Sequence, residues 1–217
     1  MKIVYKNFNR YECLSYSLHS AKYFFAAEDI HCVDFYSEDS YDKKRYDKIP
    51  LDKSKILTQK TKYNKYVHNW NAQVFSEGHN AIYELFKDYD GKILSVNEDQ
   101  FFTTGDTIKD LKNNDFDLAW ANWYWPSEFT INASVLCFKP STCKPLFPLP
   151  ENKEPVDELY YKHIVSTQKT HGLNLYRMIF RMGDEYFGDG LRVGGLGISD
   201  DVACQEIYDM LKKYKMI

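Results

Sequence analysis

The stretch Lys92-Ile93-Leu94-Ser95-Val96-Asn97-Glu98-Asp99-Gln100 decides the fold, because an apolar run of strand length passes directly into an acidic cluster. The turn pair Asp90-Gly91 precedes the run, and its shortness predicts a buried strand rather than a helix. Carboxylates at the C-terminal edge of a central parallel strand stand where open α/β sheets hold their ligands. The triplet alone also suits a helix N-cap or a solvated turn, so its neighbours must decide.

Before the strand, Val74, Phe75, Ala81, Ile82, Leu85 and Phe86 within Asn71 to Lys87 predict an amphipathic helix that starts after Ser76-Glu77-Gly78. Nearer the N-terminus, Lys2 to Tyr5 predicts a first strand and Lys6-Asn7-Phe8-Asn9-Arg10 a polar loop. Leu14, Leu18, Ala21, Phe24 and Phe25 recur at helical spacing, and Ile30 to Tyr36 predicts a second strand ending in Ser37-Glu38-Asp39. Strand, helix and strand in this order make a βαβ unit with a parallel sheet. Asp39 to Val67, polar and rich in Lys and Tyr, predicts an insertion or a partly mobile loop. After the acidic cluster come a helix over Thr107 to Asn113, a strand over Phe116 to Ala121 and an aromatic loop from Asn122 to Pro126. A strand over Ile131 to Phe138, a Pro-punctuated segment, and helices over Val156 to Thr167 and Asp200 to Lys213 follow. Six glycines between Arg181 and Ser199 mark a loop, read either as a lid or as a set of turns.

The 217 residues fit one α/β domain, with a nucleotide-binding half about 1–100 and an acceptor-side half about 101–217. A net charge of −3 with interspersed signs argues against nucleic acid as a partner, and the basic stretch Lys43 to Lys65 reads as a solvated face or a phosphate neighbour. No run approaches the length of a membrane span, and five scattered cysteines without a C-x-x-C pair fit a reducing, cytoplasmic setting. The aromatic share of 17% exceeds what a core needs, and such rings suit stacking on sugars; codon bias explains the same excess equally well.

The order of elements, with YSLHSAKYF beginning at Tyr16, EGHNAIYELF over Glu77 to Phe86 and GKILSVNEDQFF over Gly91 to Phe102, resembles the GT-A glycosyltransferases. The resemblance implies a single Rossmann-like domain with a central, mostly parallel sheet flanked by helices. It implies transfer of a hexose from a nucleotide diphosphate sugar, UDP- or GDP-linked, to a glycan or other hydroxyl acceptor. The family's acidic DXD motif binds Mn²⁺ or Mg²⁺ with the donor; here Asn97 takes its first position, leaving Asp99 as the foremost metal ligand and Glu98 beside it. By the same resemblance Tyr5, Asn9, Arg10, Asp34 and Asn80 would meet the nucleotide or sugar, with Glu38 and Asp39 as alternatives to Asp34. Trp123 and Trp125 would stack on the acceptor near NASVLCF, Asp157 and Glu158 would supply the catalytic base, and His171 would complete the metal shell. Asp157 and Glu158 also suit a helix N-terminus, and Asn80 a helix cap.

Two competing functions share these residues. A sugar-phosphate nucleotidyltransferase would need a glycine-rich N-terminal loop, and Lys6 to Arg10 has no glycine. A non-catalytic carbohydrate-binding domain would need only the aromatic surface.

Overall fold

The computed structural model describes residues 1–8, 10–26, 28–36, 47, 49–62, 72–102, 105–121, 135–152, 155–178, 192–193, 205, 208–209, 211–213 and 215. Strand β1 (Lys2–Phe8) is followed by helix α1 (Tyr11–Phe24), β2 (Asp29–Tyr36), β3 (Ile56–Lys60), α2 (Ala72–Phe86) and β4 (Ile93–Asn97). Then come β5 (Gln100–Phe101), α3 (Asp106–Asn113), β6 (Leu118–Ala121), β7 (Leu136–Phe138), α4 (Val156–His171), β8 (Leu175–Met178) and β9 (Arg192–Val193). Seven strands form one sheet in the order β3-β2-β1-β4-β7-β6-β8, and β5 pairs with β9 beside it. Only β7 runs against its neighbours in the large sheet.

Alternation along the strands feeds two core layers. Ile3, Tyr5, Leu94 and Val96 face Leu14, Leu18 and Ala21 of α1 and Ile108 and Leu111 of α3. Val4, Val33, Ile93 and Phe138 face Ala81 and Ile82 of α2 and Val156, Tyr160 and Ile164 of α4. Central parallel strands buried on both faces need such continuous apolar sequences, which is why β1, β2 and β4 were legible. α4 is closed by matching end chemistry: Asp157 and Glu158 in the first turn, Lys169 and His171 in the last, and Gly172 at φ +67° as the left-handed cap whose N–H reaches Gln168 O.

The fold departs from expectation at several places. β1 continues through Lys6, Asn7 and Phe8, which the sequence reads as loop, because these residues still pair with Val33, Asp34 and Phe35 on the adjacent strand. β3 lies inside the expected insertion; as an edge strand paired on one side, it needs only a weak alternation. α2 begins at Ala72, ahead of Gly78, and β8 falls in a stretch the sequence leaves unassigned. Of the expected last helix, Gln205, Tyr208, Asp209 and 211–213 are helical.

Gly78 sits mid-helix for a packing reason: a Cβ there would stand 2.8 Å from Lys6 Cδ, in the layer between α2 and β1. Two effects oppose each other in Gly78→Ala. Helix propensity favours alanine by about 1 kcal/mol, whereas overpacking against a buried, hydrogen-bonded lysine costs about 1–3 kcal/mol. Overpacking wins, and chemical denaturation should show a net destabilisation of about 1 kcal/mol.

Candidate functional site

In the order β3-β2-β1-β4, the chain leaves β1 towards β2 and returns on the other side at β4, so β1 and β4 flank the topological switch point. Their C-terminal ends carry Arg10 and the turn Asn97-Glu98-Asp99, and register aligns Lys6 with Asn97. This is the crevice where open α/β sheets bind ligands.

The turn is held from the α1 side, where Ser17 Oγ donates to Glu98 O at 2.6 Å and Phe102 N donates to Ser20 Oγ at 3.0 Å. Its side chains are buried: Asn97 is 9% exposed, Glu98 4% and Asp99 3%. Arg10 reaches in from the N-terminus of α1, with Nη1 at 2.8 Å from Asp99 Oδ2 and 3.6 Å from Glu98 Oε1. Burial raises the Glu98 carboxyl to about 8 against the lowering pull of Arg10, and raises Asp99 likewise. Burial also holds Lys6 well below its ordinary value, although Glu98 and Asp99 pull it upward.

Three side-chain atoms in this turn, Asn97 Oδ1, Asp99 Oδ1 and Gln100 Nε2, are buried and make no hydrogen bond among the described residues. Buried polar atoms are satisfied in the great majority of cases, so three within four residues make this turn the candidate ligand site. Two are hard oxygen donors beside carboxylates whose ionised form burial disfavours, and this donor set suits a divalent cation such as Mn²⁺ or Mg²⁺. The third is an amide donor suited to an anionic or hydroxyl oxygen.

Beneath the turn runs a buried polar chain that the sequence reading misses. Lys6 Nζ lies 2.9 Å from His79 Nε2, and His79 Nδ1 lies 3.1 Å from Ser95 Oγ, linking β1, α2 and β4. A lysine interrupting an apolar strand, Val-Tyr-Lys-Asn-Phe, is its only sequence signal.

Several expected site residues prove to be scaffold. Tyr5 is fully buried, and its hydroxyl donates to Ser17 O at 3.1 Å, inside the layer between β1 and α1. Asp34 accepts from Asn7 Nδ2 at 2.5 Å and from Tyr11 OH at 2.9 Å, while Asn7 Oδ1 accepts from Arg10 N at 3.2 Å. Asp34 thus fixes the backbone that presents Arg10. Asn80 is spent on the Pro-rich segment: Nδ2 donates to Leu149 O at 3.0 Å and to Glu151 Oε1 at 3.1 Å, and Oδ1 accepts from Leu149 N at 2.7 Å.

His171 is corrected by topology. β8 is parallel to β6 and, through β7, to β4, and Leu175 lies level with Leu118, which is level with Phe138 and Ile93. Three residues separate His171 from Leu175, so it sits at the sheet edge opposite the acidic turn and cannot share a metal with Asp99. Asp157 and Glu158 begin α4 in the layer opposite α1; the Glu158 side chain is 60% exposed, 3.7 Å from Lys162. That solvated pair is a contact within the first turns of the helix. Asn9, Glu38, Asp39, Trp123 and Trp125 lie outside the described residues. Of the glycine-rich stretch, Arg192–Val193 is described, and it pairs antiparallel with Gln100–Phe101, directly following the acidic turn.

Asp34 yields a pH prediction. Burial raises its carboxyl to about 6 from 3.8, against the lowering hydrogen bonds of Asn7 and Tyr11. Between those values the native state holds a proton that the unfolded chain has released, so stability falls as pH rises from about 4 to about 6, by about 3 kcal/mol from this group. In Asp34→Asn that part of the slope should vanish when urea midpoints are followed across the window.

No family model and no curated protein matches the chain. Solved structures do match over nearly its whole length. The galactosyltransferase LgtC, solved with donor and acceptor sugar analogues, is 11% identical with a TM-score of 0.55, over 98% of this chain and 96% of its own. A glycosyltransferase involved in glycosylation of the major capsid of PBCV-1 is 10% identical with a TM-score of 0.57, over 96% and 98%. A Bacillus anthracis protein assigned as a glucose-1-phosphate thymidylyltransferase is 9% identical with a TM-score of 0.55, over 96% of each chain. No helix among the described residues is long and apolar enough to cross a membrane. With its seven-stranded sheet, a single antiparallel strand in it and an acidic turn at the switch point, the chain has the GT-A fold of the nucleotide-diphospho-sugar transferases.

Proposed function

We propose that the chain is a glycosyltransferase that moves a hexose from a nucleotide diphosphate sugar to a sugar or other hydroxyl acceptor, with a divalent cation at the Asn97-Glu98-Asp99 turn. One observation carries the reading: oxygens on Asn97 and Asp99 that are buried and, among the described residues, unpartnered at the switch point of this fold. Mn²⁺ or Mg²⁺, when bound, would neutralise charge on the leaving diphosphate. Asp99 Oδ1 and Asn97 Oδ1 would hold it, with Glu98 adding charge. Arg10 stands beside them as a guanidinium matched to phosphate oxygens, and Gln100 Nε2 offers a further donor. Burial of the turn keeps water from competing for these groups. Trp123 and Trp125 are assigned to acceptor stacking on the physical ground that indole faces suit pyranose rings.

A thermal-shift panel of nucleotide sugars, with and without Mn²⁺, tests this. A donor at 100 times its Kd stabilises the native state by about 2.7 kcal/mol, or about 5–10 °C for a chain this size. The expected result is one such shift, dependent on Mn²⁺. The likeness to the thymidylyltransferase gives a second reading, sugar-phosphate nucleotidyl transfer, which predicts the shift with a nucleoside triphosphate or sugar 1-phosphate instead.

A further inference from the structure

Arg10 is 8% exposed and bonded to Asp99, one of the two residues carrying an unpartnered oxygen for the proposed cation. A guanidinium does not lose its proton at any ordinary pH, so it leaves a carboxylate only by moving. A dication on Asp99 would share that carboxylate with Arg10, and two cations on one buried group repel strongly where the dielectric is low.

The local framework permits the exchange. Arg10 N is anchored by Asn7 Oδ1, itself part of the Asp34 and Tyr11 network, so the backbone stays in place while the side chain swings. Arg10 precedes α1 with a non-helical backbone, at φ −106° and ψ 61°. Its planar fork matches phosphate oxygens, so a diphosphate in the crevice offers the guanidinium an alternative partner.

We propose that Arg10 is the resident counter-ion of the acidic turn, and that a diphosphate must draw it off Asp99 before a divalent cation binds tightly. Cation and donor then bind cooperatively, each raising the affinity of the other by the same factor. This rests on the metal-dependent reading above.

Equilibrium dialysis of Mn²⁺ against the full chain tests it without reference to turnover, using Mn²⁺ alone and with inorganic pyrophosphate, UDP or GDP in both compartments. For the wild type, at least one diphosphate should tighten Mn²⁺ retention about tenfold or more, the scale of one charge-assisted hydrogen bond exchanged. Arg10→Gln should bind Mn²⁺ alone about tenfold more tightly than the wild type alone, with Arg10→Lys between them; circular dichroism verifies that each is folded. Equal Mn²⁺ affinity of the wild type with and without every diphosphate overturns the gating role while leaving the metal site standing. So does a folded Arg10→Gln, or Arg10→Lys if the glutamine variant does not fold, that gains no affinity for Mn²⁺ alone. Mn²⁺ retained under no condition overturns the gate and the metal reading together.

Discussion

Asp99→Asn is expected to lower nucleotide-sugar turnover by about 10²- to 10³-fold while leaving the fold intact, the scale on which losing one preorganised electrostatic group acts. The substitution keeps the volume and one carbonyl oxygen but removes the charge that would hold a divalent cation. Stability changes little, because two terms oppose. The charge-assisted bond from Arg10 Nη1 at 2.8 Å is weakened, yet a carboxylate that burial penalises is removed as well. Arg10 keeps Glu98 at 3.6 Å as a partner. The net effect should stay within about 2 kcal/mol, since pairing and desolvation of buried ion pairs nearly cancel. Steady-state assays beside thermal melts check this; a variant that melts normally and turns over within threefold of the wild type contradicts the assignment of Asp99.

His79→Leu carries the largest expected stability change, a loss of about 3–5 kcal/mol, because it cuts the buried chain on both sides. Lys6 loses the Nε2 contact at 2.9 Å and Ser95 the Nδ1 contact at 3.1 Å, both in the layer between α2 and the sheet. An apolar replacement offers neither group a hydrogen bond. The double variant Lys6→Met with His79→Leu should recover much of the loss, since replacing both members of a buried polar pair with apolar groups is far less harmful than removing one. Urea denaturation of the four-membered cycle measures the coupling, and additive losses would show that Lys6 and His79 do not act as a unit.

Where the physics was periodic, the sequence was readable. β1, β2, β4, α1 and α4 announce themselves through runs and spacings that satisfy two core layers at once. Lys6 to Phe8 could not be read as strand, because their polarity is compensated by residues 27 to 73 positions away, Asp34 and His79 among them. β3 escaped because an edge strand paired on one side tolerates the polar sequence Ile-Leu-Thr-Gln-Lys.

The acidic turn was legible from its place at the end of β4, where the structure buries it. Arg10 was legible as a nucleotide neighbour, but its bond to Asp99 was not: the two are 89 residues apart, and the β1–β4 pairing brings the two loops together. Tyr5, Asp34 and Asn80 share a contact pattern that no local signal carries. Each carries a polar group suited to a ligand, and each spends it on tying scaffold elements together. His171 failed for want of topology, since no local signal tells at which edge of a sheet a helix ends.

Release of nucleoside diphosphate from a panel of nucleotide sugars, followed with and without Mn²⁺ in the wild type and in Asp99→Asn, addresses the central claim most directly. One donor should yield diphosphate only when Mn²⁺ is present, and Asp99→Asn should slow the release by about 10²- to 10³-fold. Release from no donor, together with pyrophosphate formation from a nucleoside triphosphate and a sugar 1-phosphate, would contradict it and make the chain a nucleotidyltransferase.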